Sequence, residues 1–226
     1  MKIKDFIKIY AAILAAHTAA QYVSGDFSLL FFTKLLIPLS LLLYNFYYNS
    51  DKLKNALLTS SFGFFLLGNV LMLIKPTYDP CRFETPILSY SAAFAFLAVL
   101  ALLRAKWSIK NALVGLSVAI VNTALSYLYV LNGLSSDAIV FYIFVLSFAI
   151  MSFTSFLNCD EPKKKAMVVL GVISISISNH ILGFCTFKTN NTDMVPVAML
   201  LYGISLFFFM LGYIDTSESE IQTHMR

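Results

Sequence analysis

The stretch LLGNVLMLI, Leu66 to Ile74, sets one amide, Asn69, inside an otherwise apolar run. A second stretch, SISNHILGF from Ser176 to Phe184, does the same with Asn179. An amide surrounded by hydrocarbon loses water as a partner and must find another or face a cavity. Each asparagine follows a small residue, Gly68 or Ser178, which leaves room for a neighbouring helix. What surrounds the two amides therefore decides the fold.

Working outward, apolar residues dominate on both sides. Of 226 residues, 59% are hydrophobic and 12% are charged, whereas soluble domains carry about 25% charged residues. The chain reads as all-α and polytopic, a membrane protein without a soluble domain. Hydropathy predicts eight spans of 18–22 residues, over Phe6–Val23, Phe27–Tyr48, Ala56–Ile74, Pro86–Leu103, Ala112–Leu131, Ala138–Leu157, Ala166–Phe184 and Met194–Ile214. Each can cross ~30 Å of hydrocarbon as a helix. The first run has no small-residue cleavage site and is read as a helix, not as a signal peptide.

The net charge of +4 is placed for orientation in a membrane, not for nucleic acid. With the N-terminus inside, Lys52, Lys54, Arg104, Lys106, Lys110 and Lys163 to Lys165 fall on the inner side, and Lys75, Arg82 and Lys188 on the outer. This bias predicts that both termini are cytoplasmic. Tyr10, Tyr22, Tyr47, Tyr48, Tyr127, Tyr129 and Tyr213 lie toward helix ends, as interfacial aromatics do.

In this topology the third and seventh helices both run outward. Asn69 lies 15 residues after Lys54 and Asn179 lies 14 after Lys165, so at 1.5 Å per residue the two reach nearly the same depth. Parallel helices four apart are the pattern of two four-helix halves.

All 12 acidic residues lie outside the eight runs, which argues against a proton-coupled transporter. Lys34 sits about 10 Å below the outer end of the second run, by helical rise. It either snorkels to the headgroups or faces the bundle and holds an anionic group such as a lipid phosphate. His17 and His180 read as interhelical hydrogen-bond partners or as titratable members of a shared polar pocket. No metal-ligand spacing, phosphate loop or cofactor motif is present. Cys81 and Cys185 should share the outer side, as a disulfide or as two free thiols, with Cys159 reduced on the inner side.

Several short motifs resemble the YhhN-like family of membrane proteins, whose characterised members are lysoplasmalogenases. TKLLIPL (Thr33–Leu39) is similar to the family's Lys-Pro segment, and LLGNVLML to its Gly-Asp segment. YIFVLSFAIM, with Tyr142 and Ser147, resembles its Tyr–Ser–Met segment. SISNHILGF resembles its Ser-Asp segment, and LYGISLFF, with Tyr202, its final helix. The resemblance implies hydrolysis of the vinyl-ether bond of a lysoplasmalogen; no cofactor is expected. On it, Asn69, Asn179, His180 and His17 are the catalytic candidates, and Lys34, Tyr142, Ser147 and Tyr202 contact substrate.

The departures bear on activity. Both family aspartates fall at Asn69 and Asn179, Ser205 stands where a glutamine is usual, and the fourth helix lacks the family's histidine. An amide hydrogen-bonds like a carboxyl but cannot deliver a proton. His180 points about 100° from Asn179 on a helix, which makes it a poor replacement. Three readings stay open: a hydrolase with a changed acid, a lysolipid binder without catalysis, and a small-solute transporter. The localisation expected is an integral membrane one, the cell membrane for a bacterial source.

Overall fold

A computed structural model describes residues 3–23, 27–49, 51–74, 84–103, 108–126, 137–153, 161–185 and 193–214. Among them are eight α-helices: α1 (Ile3–Val23), α2 (Phe27–Tyr48), α3 (Lys52–Ile74), α4 (Glu84–Leu103), α5 (Ile109–Ser126), α6 (Asp137–Phe153), α7 (Pro162–Phe184) and α8 (Val195–Tyr213). Each predicted run overlaps one of them, and the ends of the fifth and sixth runs, beyond Ser126 and Phe153, lie outside the described residues. Six helices, α2, α3, α4, α5, α7 and α8, are long and apolar enough to cross a membrane. Of the eight expected spans, α1 and α6 do not meet this measure of length and apolarity among the described residues. Lys4, Asp5, Lys8, His17 and Gln21 dilute α1, and α6 has 17 described helical residues.

Prolines mark several helix starts. Pro86 lies in the first turn of α4, and Pro162 and Pro196 open α7 and α8, where a missing N–H costs nothing. Pro38 is the exception inside α2. It supplies no N–H to the carbonyl of Lys34, four residues back.

The most extensive pairings are α7 with α8 and α3 with α4. Helices α2, α3, α4 and α6 then follow one another round the bundle, and α8 reaches across to α1, α2 and α3. Helix α5 packs on α6 and touches α7. Small residues permit the close approaches. A Cβ at Gly171 would lie 2.9 Å from the Phe209 ring and 3.3 Å from the Ser205 carbonyl oxygen. One at Gly212 would clash with Val168 Cγ2. Further along the same pair Ser178 donates to the Ala198 carbonyl at 2.6 Å. Close backbones and short polar bonds are how helices associate where lipid is as apolar as leucine.

The core is aromatic and aliphatic, built on Phe62, Phe65, Phe94, Leu97, Leu206, Phe209 and Met210. Large apolar side chains also cover the outside, with Phe32 64%, Phe46 62%, Phe144 70% and Ile109 83% exposed. An outer surface of this kind marks contact with a membrane or with other protein, and six apolar helices fit it to lipid. Two of the tyrosines expected at the membrane interface turn inward instead. Tyr10 donates to the Gly203 carbonyl at 2.8 Å, and Tyr213 is fully buried. Tyr22 and Tyr47 are exposed, and Tyr127 and Tyr129 lie outside the described residues.

The α2–α3 turn is fastened by amides. Asn45 Nδ2 donates to Asn55 Oδ1 and Thr59 Oγ1, each at 2.9 Å, and Asn49 Nδ2 donates to Asn45 Oδ1 at 3.0 Å. Asp51 precedes α3, and its Oδ1 accepts from the Leu53 and Lys54 amides at 3.1 Å, an N-cap. Cys185 is a buried free thiol at the end of α7, while Cys81 and Cys159 lie outside the described residues.

Candidate functional site

Between α2, α3, α4, α6, α7 and α8 lies a part-enclosed cavity. The space open to the centre of a water-sized sphere is about 80 Å³, against roughly 10–15 Å³ for one water. Helix α2 contributes Lys34, and α3 contributes Phe65, Asn69 and Met72. Tyr90 and Phe94 come from α4, Tyr142 from α6, and Met199 and Tyr202 from α8. Helix α7 contributes Ile175, Ser178, Asn179 and Leu182.

The contributions of α3 and α7 share one spacing. Phe65, Asn69 and Met72 fall at i, i+4 and i+7, and so do Ile175, Asn179 and Leu182. These positions share one helix face, so each asparagine sits between two apolar residues toward the same space. The small residues before them serve helix pairing. Gly68 receives the Tyr90 ring of α4, and Ser178 bonds α8.

Asn69 is 1% exposed. Its Oδ1 accepts from the Tyr90 hydroxyl at 2.8 Å, and its Nδ2 is buried with no partner among the described residues. Asn179 Nδ2 is in the same state, as is the Tyr202 hydroxyl. Tyr202 lies beside Asn69 and Tyr142 beside Asn179. The remaining wall is aromatic. Phe65 meets Tyr202 at 5.9 Å and Phe94 at 5.2 Å, both edge-on, and Phe94 meets Tyr142 at 6.1 Å.

Lys34, Asn69, Asn179, Tyr142 and Tyr202 thus line one cavity. Three other candidates lie elsewhere. Ser147 is on the α5-facing side of α6, where its Oγ is 2.8 Å from Thr123 Oγ1 and 3.5 Å from Asn122 Nδ2. His180 is half-buried on α7, one residue round from the cavity-lining Asn179.

His17 joins α1 to α2. The Thr33 hydroxyl donates to the Leu29 carbonyl at 2.7 Å, so it accepts from His17 Nδ1–H at 2.9 Å. His17 Nε2 then accepts from Gln21 Nε2 at 3.1 Å. The network assigns a neutral ring with both nitrogens occupied. Such a histidine fixes helices and has no nitrogen to spare for a substrate.

Besides apolar wall residues such as Phe65 and Phe94, Tyr90 is the hydrogen-bonding cavity tyrosine that the sequence reading missed. Its signal was its position, seven residues into α4 and within reach of Gly68, whose missing side chain makes the space. Chemically, the cavity offers amide, hydroxyl and ammonium donors against an aromatic and aliphatic wall. Among the lining residues there is no carboxyl or imidazole.

Fold and site together define a multi-helix bundle of membrane type around a donor-lined pocket. No family model, curated protein or solved structure matches the chain.

Proposed function

We propose that this chain is a divergent YhhN-like membrane protein whose pocket holds the polar end of a single-chain phospholipid without hydrolysing it. One observation carries the reading. The buried polar atoms left unpaired at the pocket, Asn69 Nδ2, Asn179 Nδ2 and the Tyr202 hydroxyl, are all able to donate. A ligand rich in acceptor oxygens satisfies them, and leaving such groups unmade costs about 1–3 kcal/mol each. A phosphodiester on a glycerol backbone is such a ligand, and Lys34 on the same wall supplies the opposite charge. The cavity takes the head, and the acyl or alkyl chain lies along the apolar helix surfaces outside it.

Vinyl-ether hydrolysis needs a proton delivered to carbon and water added to the resulting cation. The lining residues include neither of the acids that the resemblance would place at 69 and 179, and His17 is engaged elsewhere. In this reading the pocket of the family is kept and its acid chemistry is lost. All eight helices span, with both termini cytoplasmic. Helix α1 can do so because its inner polar residues, His17 and Gln21, bond each other and α2. Helix α6 covers about 26 Å at 1.5 Å per residue, near the lower limit for a span.

The test uses purified protein in nanodiscs with a choline lysoplasmalogen. Saturable binding without aldehyde release is the expected result, with binding weakened by Lys34→Ala. Aldehyde release that Lys34→Ala abolishes would replace this reading with the hydrolase, and absence of binding would remove both.

A further inference from the structure

We propose that Tyr90 decides what this pocket reads, by holding the Asn69 carboxamide as a fixed donor; the inference rests on the lipid-binding reading above. The Tyr90 ring lies against Gly68 so closely that a Cβ there would stand 2.5 Å from Cε1 and 2.8 Å from Cδ1. Glycine is thus what lets the ring lie across α3. From that position the hydroxyl donates to Asn69 Oδ1 at 2.8 Å. With its oxygen engaged, the carboxamide is left with Nδ2 unpartnered at the cavity, on a side chain 1% exposed. Turning the amide over would bring Nδ2 to the hydroxyl oxygen. It would also strand the hydroxyl proton, which has no other acceptor among the described residues, and a stranded buried donor is costly. Asn69 is therefore a donor to whatever enters.

Asn179 occupies the equivalent place on α7, with its Nδ2 likewise buried and without a partner among the described residues and with Tyr142 beside it. The group that meets Asn69 must accept a hydrogen bond, and an ammonium or another donor gains nothing there. With Lys34 on the same wall, the chemistry selected is an anionic phosphate oxygen, whether of a lipid ester or of inorganic phosphate.

The experiment titrates nanodisc-embedded protein with a hexadecyl lysophosphocholine and with hexadecyltrimethylammonium, which has the chain but no acceptor. Wild type should prefer the phosphate lipid. Tyr90→Phe keeps the ring on Gly68 and should weaken that lipid about five- to tenfold, the size of one neutral hydrogen bond, without affecting the ammonium amphiphile. In an Asn69→Ala background Tyr90→Phe should have no further effect, because the hydroxyl acts only through the carboxamide. An equal loss in both backgrounds would make Tyr90 a packing residue and overturn the inference. Inorganic phosphate should leave bound lipid in place, and displacement by it would overturn the lipid as the source. Wild type that binds neither amphiphile sinks the lipid reading. Wild type that binds, with Tyr90→Phe unchanged, sinks this inference alone.

Discussion

A methyl group at Gly68 would have to share space with Tyr90 Cε1, 2.5 Å away. Overpacking of this kind costs about 1–3 kcal/mol. Gly68→Ala should therefore lower the thermal midpoint in detergent and also weaken lipid, because the ring that orients Asn69 must move. Loss of stability with unchanged lipid affinity would separate the two roles. The amides themselves were conspicuous in sequence, since any polar residue stands out in an apolar run. Tyr90 did not stand out, because tyrosine near a helix end reads as an interfacial anchor, and only the contact with Gly68 gives it a task. The ancestry reading has its own test in Asn69→Asp combined with Asn179→Asp. A carboxyl pair can supply the acid and the water-activating base that an amide pair cannot. The double variant should release aldehyde from a lysoplasmalogen and neither single variant should; a well-folded, silent double variant would count against that ancestry.

Outside the membrane segments, hydrogen bonds from the Lys54 side chain and backbone hold the Asp51 carboxyl below its ordinary value. Its support for the start of α3 is complete above the usual carboxylate range and is lost as pH falls through the lowered value. Hydrogen exchange at Leu53 and Lys54 should rise below about pH 4. In Asp51→Asn that rise should be absent.

At the scale of the element, α7 and α8 are joined by what they lack. Gly171 and Gly212 let the backbones close until the Ser205 and Lys164 carbonyl oxygens stand 3.3 and 3.4 Å from where a Cβ would be. Backbone cannot swing aside as a side-chain tip can. Gly171→Leu should thus cost at least the ~1–3 kcal/mol of core overpacking, and it should part the helices that carry Asn179 and Tyr202. A fall in both thermal midpoint and lipid affinity is expected, and an intact affinity would show that the pocket does not depend on this seam. Eight helices were legible because continuous apolar runs have few other folds in lipid. Their lateral order was not. No pattern in α4 announces that it packs on α6, because apolar faces toward lipid and toward protein look alike in sequence. Ser147, which the family resemblance set among the substrate contacts, instead joins α6 to α5.

For the whole molecule, the matched spacing on α3 and α7 is what the two short sequence motifs foretold. It extends from the asparagines and the aligned Met72 and Leu182 to Phe65 with Ile175, a pair that lies outside the two motifs and is unlike in side chain. The proposed orientation predicts that reporters fused after Lys110 and Lys165 read cytoplasmic and those after Arg82 and Lys188 read external, and a reversal at either pair would remove the eight-span topology. The amide clasp at the α2–α3 turn has a consequence for how the chain is made. All its bonds fall between Asn45 and Thr59, so it asks for little loop closure and nothing from later sequence. The hairpin can therefore fasten as soon as the ribosome has delivered α3, well before α7 and α8 are synthesised. Lys34 and Asn69 would then wait, on two helices already paired, for the second amide to arrive. A nascent chain stopped soon after Ile74 should already protect this turn from protease, and Asn45→Ala should lose that protection before any effect on the finished pocket is seen.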